Sequence, residues 1–467
     1  MSKFVQNCRF VKQCVINASV DQVFRWHARP GALERLNPPW DPLEVTSQTG
    51  GIQPGVKVVM RLNAGPLPLK IKWVAQHDRY EKNRLFEDRQ LKGPFARWVH
   101  THRFSHTGKA ACLLEDEIQY ALPFHPRSSF LGRSLSRKEL ERIFQFRHAV
   151  TRLDIADHLR FKRGRLTLLV TGAGGVLGSA LVPFLTGGGH RVIRLVRTRT
   201  DAGGDAFFWD PLSEHLDIGA IVRIDAVIHL AGENIAQGHW SAEKKKTIIQ
   251  SRVRGTTLLA RALARLPEPP EVLICASAIG YYGNRGAAWM TEQSDQGNDF
   301  ISEVCSRWEQ STAPAAEKGI RTVLLRIGIA LSPSGGALQK FLLPFQFGLG
   351  GKLGSGGQYM SWIHRDDVLG AIYHVLNRQD IQGPMNVVAP DPVTNQAFVQ
   401  ILGRVLTRPC FFSIPESIIR IMFGEMGREI PLSSTRVSPV RLLESGYRFR
   451  YPALEGALRH LLGRMTQ

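Results

Sequence analysis

The sequence predicts an α/β protein: a doubly wound parallel sheet preceded by a smaller α+β helix-grip domain. Three observations carry that prediction. Residues 165–178 form a short apolar run that stops at Thr171 and yields to glycines at Gly172, Gly175 and Gly178, with an amphipathic segment over 177–185. From there to residue 331, apolar runs alternate with helical patterns, as parallel strands joined by helices require. Ahead of the glycines, strand-like stretches separated by Gly and Pro close on one long helical pattern.

At 467 residues, 43% of them hydrophobic, the chain is long enough for two or three cores. Sixty Lys and Arg against forty Asp and Glu leave a net charge of +20. That surplus favours anionic partners such as a phosphorylated cofactor. No nucleic-acid motif accompanies it, so no specific nucleic-acid partner is expected. Between residues 133 and 165 the basic residues are interleaved with Glu139, Glu141, Asp154 and Asp157, the pattern of a solvated helix face. Cys8, Cys14, Cys112, Cys275, Cys305 and Cys410 are scattered without a CxxC pair, which suggests reduced thiols. With no signal-peptide core and no membrane span, a cytoplasmic protein is expected.

The first domain is expected over residues 1–160. Residues 4–18 read as a strand, and Ser19 caps a helix through Phe24 and Trp26 that ends near Pro30 and Gly31. Further strands are expected at 56–62, 69–74, 98–104 and 112–122, then a helix over 136–158 with a capping-type start at Ser136 and Glu139. The stretch Val15-Ile-Asn-Ala-Ser-Val-Asp-Gln-Val-Phe-Arg-Trp, the run Trp98-Val-His-Thr-His-Arg-Phe and the terminal helix resemble the START-like, polyketide-cyclase-type (SRPBCC) superfamily. The resemblance implies a cavity between sheet and long helix that receives an apolar ligand. His100, His102 and His106 invite a metal reading. His100 and His102 share a strand face, but no carboxylate or thiol stands at ligand spacing, and no metal is expected.

In the second domain the glycine turn has the form of a dinucleotide-binding βαβ unit. The first glycine makes the tight turn, the second lets backbone approach a pyrophosphate, and the third lets helix and sheet pack closely. Val176 and Leu177 then stand at the helix N-terminus, where free amides and the dipole favour phosphate. Residues 191–196 form the next strand, which ends at Arg197 with Arg199 just beyond. An NAD-selective site would place Asp or Glu there. A guanidinium suits a 2′-phosphate, so NADP(H) is the expected cofactor, the alternative being a solvated loop side chain. The strand over 225–234 finishes in Leu230, Ala231, Gly232 and Glu233, small or polar groups placed to meet a cofactor ribose. A helix over 242–264, a strand from 271, a helix over 299–318 and a strand from 321 continue the alternation.

Thr171-Gly-Ala-Gly-Gly-Val-Leu-Gly, His229-Leu-Ala-Gly, Arg254-Gly-Thr and Ser361-Trp-Ile-His-Arg-Asp-Asp resemble the extended short-chain dehydrogenase/reductases of nucleotide-sugar epimerase type, which are Rossmann proteins. Gly232-Glu-Asn-Ile-Ala, Ser277-Ala-Ile-Gly-Tyr-Tyr-Gly, Val304-Cys-Ser-Arg-Trp-Glu and Glu444-Ser-Gly-Tyr-Arg-Phe-Arg-Tyr-Pro are similar to an atypical epimerase-like subgroup. Some members carry a START-like domain in front. The resemblance covers about residues 165–465 and implies a cofactor domain over 165–390, a C-terminal lobe over 391–467 that covers the cleft, and a possible homodimer.

One departure bears on chemistry. The family's Tyr-x-x-x-Lys pair falls at Phe300 and Val304, neither of which can donate a proton, and the usual active-site asparagine is replaced by Arg252. A positioned general acid contributes roughly 10²–10⁴ in rate, so another donor is needed or catalysis is weak. Ser277, Tyr282 with its neighbour Tyr281, and His364 are the catalytic candidates; Glu233 is expected to contact ribose. The glycine-rich segment 332–361, with Lys340 and Lys352, suits a lid or anion loop, or an ordinary surface connection. The expected function is an NADP(H)-dependent oxidoreductase acting on a small or apolar carbonyl or alcohol. The alternatives are a noncatalytic NADP(H)-responsive binding protein and a nucleotide-sugar epimerase or dehydratase.

Overall fold

Ser19 starts the first helix by reciprocal capping: its Oγ accepts from the Gln22 amide at 3.3 Å while the Gln22 side chain accepts the Ser19 amide at 2.9 Å. The computed structural model describes residues 7–63, 70–108, 110–122, 129–161, 163–216, 218–219, 221–236 and 238–465, with the side chains of 63 and 129–135 outside the description. The chain divides into two compact units, residues 1–162 with 183–189 and 460–467, and residues 163–182 with 190–459.

The first unit is an antiparallel sheet with a long closing helix. Its elements are β1 (Cys8–Ile16), α1 (Val20–Ala28), α2 (Ala32–Arg35), β2 (Glu44–Gln48), β3 (Lys57–Asn63), β4 (Lys70–Glu81), β5 (Leu85–Lys92), β6 (Arg97–Thr107), β7 (Ala111–Ala121) and α3 (Ser129–Arg160). The strand order is β1-β7-β6-β5-β4-β3-β2. From α1, Phe24 sets its ring edge-on to Tyr80, Phe86 and Phe104 of the sheet. Leu140 and Phe144 of α3 join Phe10, Trp98, Ile118 and Tyr120 in a second cluster.

Three expectations change here. The strand expected at 69–74 runs on to Glu81. Ser136 lies inside α3 rather than at its start, because nothing upstream stronger than Gly132 interrupts the helix. The charged strand β5, Leu85-Phe-Glu-Asp-Arg-Gln-Leu-Lys, is absent from the sequence reading since it lacks a clear apolar alternation. Of the strand expected over 4–18, residues 4–6 lie outside the described residues.

The second unit is the doubly wound sheet. It contains β8 (Thr167–Thr171), α4 (Gly178–Gly187), β9 (Arg191–Val196), β10 (Ala206–Asp210), β11 (His215–Leu216), β12 (Ala226–His229), α5 (Ala242–Ala264), β13 (Val272–Ala278), α6 (Phe300–Gln310) and α7 (Ala313–Glu317). The order is β11-β10-β9-β8-β12-β13, then Arg321–Ile327 and Gly383–Val387. All neighbours are parallel except β10 and β11. Leu169, Ile193, Val227, Leu263 and Leu273 build its core. The single helix expected over 299–318 is two, because Pro314 supplies no amide to continue the first and instead begins the second. α8 (Gly336–Gln346) and α9 (Arg365–Asn377) follow. Among the described residues no helix is long and apolar enough to cross a membrane.

Candidate functional site

The chain order reverses between β8 and β12, the two central strands, and this opens a crevice at their carboxyl ends. Gly172 turns the chain there at φ +70°, and a Cβ would stand 2.7 Å from the Leu230 carbonyl carbon and 2.8 Å from the Ala231 nitrogen. Only glycine lets the two strand ends touch. The Gly175 amide donates to the Gly172 carbonyl at 3.0 Å, closing the turn. A Cβ on Gly178 would sit 2.1 Å from the Gly172 oxygen, whereas one on Gly174 would meet nothing within 4 Å. The amides of Val176 and Leu177 donate to no acceptor among the described residues, so the turn presents unused donors at the start of α4. That arrangement fits an anionic phosphate group. Arg197, exposed just past β9, makes no ion pair among the described residues; Arg199 lies over the Phe208 ring at 4.4 Å.

Beneath the turn the strand ends are tied together. Thr171 Oγ1 lies 2.7 Å from His229 Nδ1 and accepts from the Ala231 amide at 3.2 Å. His229 Nε2 is 2.9 Å from Thr256 Oγ1, and burial pushes this imidazole down to about 4, so it is neutral. Glu233 receives Lys244 Nζ at 2.8 Å, and its amide donates to Ser251 Oγ at 3.2 Å. Arg252 does not face open solvent. It donates to the carbonyls of Glu233 at 3.0 Å and Ile248 at 3.2 Å and lies over the Trp308 ring at 5.0 Å. Its role in holding the 232–233 loop is one the sequence reading missed.

Of the three catalytic candidates, Ser277 and Tyr282 both bond to the buried Glu309–Arg326 pair. Ser277, 3% exposed, donates to Glu309 Oε1 at 2.7 Å. Tyr282 is fully buried; its hydroxyl donates to Asn386 at 2.6 Å and accepts from Arg326 at 3.1 Å. Burial pushes that phenol up to about 12. His364 is buried at the start of α9, where Nδ1 accepts the Asp366 amide at 2.9 Å and the ring stacks on Tyr451 at 4.1 Å. The interior thus claims Tyr282, whose hydroxyl is taken up by Asn386 and Arg326. Tyr281 is the half-buried member of the pair, its ring 3.4 Å from the Arg326 guanidinium. Sequence reading missed Arg326 and Glu309, although an arginine inside the apolar run Val323-Leu-Leu-Arg-Ile is a signal that its charge has a buried partner.

Phe300 meets the edge of Trp240 at 5.1 Å with Lys245 Nζ 4.7 Å away, and Val304 is 2% exposed, so packing occupies the place of the usual Tyr and Lys. In the glycine-rich segment, a Cβ on Gly335 would fall 2.3 Å from Val176 Cγ2, which puts this residue against the glycine turn. Lys340 and Lys352 donate to the carbonyls of Ala236 and Ser355 at 2.6 and 3.3 Å.

The first unit encloses a separate cavity of about 710 Å³. Leu36, Val58, Met60, Trp73 and Trp98 line part of it, but His27, His77, Asp88, His100, His102 and Arg147 line it too. Carboxylates absent at ligand spacing along the sequence are brought to the histidines by the sheet: β5 sets Asp88 opposite His100, and β7 sets Asp116 opposite His102, which corrects the expectation of a carboxylate-free group. Cross-strand register supplies what spacing along one strand cannot. His106 is exposed, apart from this group.

Residues 168–388 match the family model described as the NAD dependent epimerase/dehydratase family, residues 16–145 the one described as polyketide cyclase / dehydrase and lipid transport, and residues 414–461 a domain of unknown function. An epimerase family protein of Mycobacterium bovis is 38% identical over 62% of this chain and 95% of its own. A nucleoside-diphosphate sugar epimerase from Corynebacterium glutamicum has a solved structure similar to this one, with a TM-score of 0.79 and 32% identity over 97% of this chain and 90% of that one. The human epimerase family protein SDR39U1, solved with NADPH, is 33% identical with a TM-score of 0.60, over 64% of this chain and all of that one. On this likeness the chain belongs to the NAD-dependent epimerase/dehydratase family, with a polyketide-cyclase-type domain in front.

Proposed function

We propose that the second unit binds NADP(H) and that the chain is an oxidoreductase acting on a small carbonyl or alcohol. The observation that carries this reading is the glycine turn at the reversal point of the sheet, with unused amides at Val176 and Leu177 and the free guanidinium of Arg197 at the end of the adjacent strand. The human relative solved with NADPH supports the choice of dinucleotide. NADPH, when bound, supplies a hydride. The chain's part is to hold the pyrophosphate at Gly172–Gly178, pair Arg197 with the 2′-phosphate, and let the ribose approach the backbone at Leu230, Ala231 and Gly232. We assign the proton to Tyr281, which follows β13, is half-buried, and is steadied by Arg326 beneath its ring.

A second reading, in which bound NADP(H) is sensed and not turned over, is favoured by one observation: Phe300 and Val304 occupy the place of the proton-relay pair. Titration by nucleotide fluorescence, followed by transfer of deuteride from labelled NADPH to a panel of aldehydes and ketones, separates the two. The oxidoreductase reading expects NADPH to bind roughly tenfold or more tightly than NADH, as one charge-assisted pair provides. It also expects Arg197→Ala to abolish that preference and Tyr281→Phe to abolish transfer. Binding without transfer to any carbonyl supports the sensor, and failure of both nucleotides to bind overturns both readings.

A further inference from the structure

Behind His100 and His102 of the first unit's cavity lies one buried carboxylate. Asp116, 2% exposed, accepts from His100 Nε2 at 3.0 Å and His148 Nε2 at 2.6 Å, and His102 Nδ1 lies 2.6 Å away. The hydrogen bond from His100 Nε2 to Asp116 places the ring proton on Nε2 and turns Nδ1 toward Asp88. His100 Nδ1 and Asp88 Oδ2 stand 3.6 Å apart. One ion can bridge a ring nitrogen and a carboxyl oxygen at that separation.

We propose that Asp88, His100 and His102 bind a divalent first-row transition-metal ion, with Asp116 as the outer carboxylate that orients His100. The three residues offer one ligand atom each, all within 4.8 Å of one another. Tetrahedral zinc with bonds of about 2.1 Å sets its ligands roughly 3.4 Å apart, so small side-chain rotations close the site. The two-imidazole, one-carboxylate set suits zinc, iron or cobalt better than magnesium or calcium.

A second observation points the same way. His77, 8% exposed and opposite Asp88 in the sheet, lines the cavity with a buried Nδ1 that has no partner among the described residues. The other charged or titratable groups at the site are His27, His148 and Arg147. The open side of the cavity leaves coordination positions for water or a ligand.

The test uses the full chain, stripped with chelator and equilibrated with zinc or cobalt(II). Elemental analysis should find one metal per chain, and cobalt should give the visible bands of nitrogen and oxygen ligation. D88N and H102Q should each lose the metal, D116N should weaken binding roughly 10–100-fold, and H106Q should change nothing. NMR of the wild-type histidine rings, which requires no variant to fold, should show cobalt shifting His100 and His102. No retained metal in the wild type overturns the proposal. So does a sulfur-to-cobalt charge-transfer band, or retention unchanged in folded D88N and H102Q, or a proton alone between His100 and Asp88.

Discussion

The guanidinium of Arg326 grips both oxygens of Glu309, Nε and Nη2 each 2.9 Å away, while the Tyr281 ring rests 3.4 Å above it. The two side chains are 4% and 9% exposed. Removing one partner of such a pair strands the other charge, at a cost of about 3–5 kcal/mol. Glu309→Gln should therefore lower the urea midpoint of the second unit markedly. The double variant Arg326→Met, Glu309→Leu should cost less than the sum of the single variants, and strict additivity in that cycle would show the pair to be uncoupled.

Two neighbouring glycines should respond oppositely to one methyl group. Gly178→Ala drives Cβ to 2.1 Å from the Gly172 oxygen and should abolish NADPH binding by displacing the turn. Gly174→Ala enters open space and should bind within roughly threefold of wild type, since a surface substitution without a clash usually shifts stability by about 0.5 kcal/mol or less. Isothermal titration of both variants checks the contrast, and equal affinities would count against it.

These two cases also mark where reading the sequence succeeds. The glycine spacing is local, and each glycine's steric task follows from its place between strand and helix, so the turn is legible before any coordinates. Arg326 and Glu309 meet from a strand and a helix seventeen residues apart, and Asp88 meets His100 only through the register of a strand too charged to be recognised. Tyr282 looked available because its hydroxyl is polar. Its burial depends on Met290, Val388 and Val437, which converge on it from distant parts of the chain.

Acid should destabilise the second unit through His229. Its imidazole is pushed down to about 4 by burial, against 6.5 when free. Below pH 6.5 the unfolded chain takes up a proton that the folded chain refuses, so stability falls as pH drops and levels off near 4. The loss is at most roughly 3 kcal/mol. Asp367, pushed up to about 6 by burial, acts with the opposite sign. The measurement is therefore the difference between wild type and His229→Gln in urea unfolding from pH 7.5 to 4.5. The variant should show the shallower decline, and parallel curves would contradict it.

In the first unit, Arg35 and Asp154 form a pair 2% and 0% exposed, joined at 2.7 and 2.9 Å. Arg35→Met should destabilise the unit by about 3–5 kcal/mol. Fluorescence of its tryptophans during urea unfolding reads the shift, and an unchanged midpoint would mean that the charge is not buried in solution.

The uneven wall of the first unit's cavity bears on what natural selection can place there. A guest made only of hydrocarbon would strip water from Asp88, His77 and His102 and return nothing to them, a penalty that its own desolvation would struggle to offset. A guest carrying both heteroatoms and a greasy portion, the latter against Leu36, Met60 and Trp73, would escape that penalty. Any selectivity of the cavity would then rest on the handful of nitrogens and oxygens in its wall.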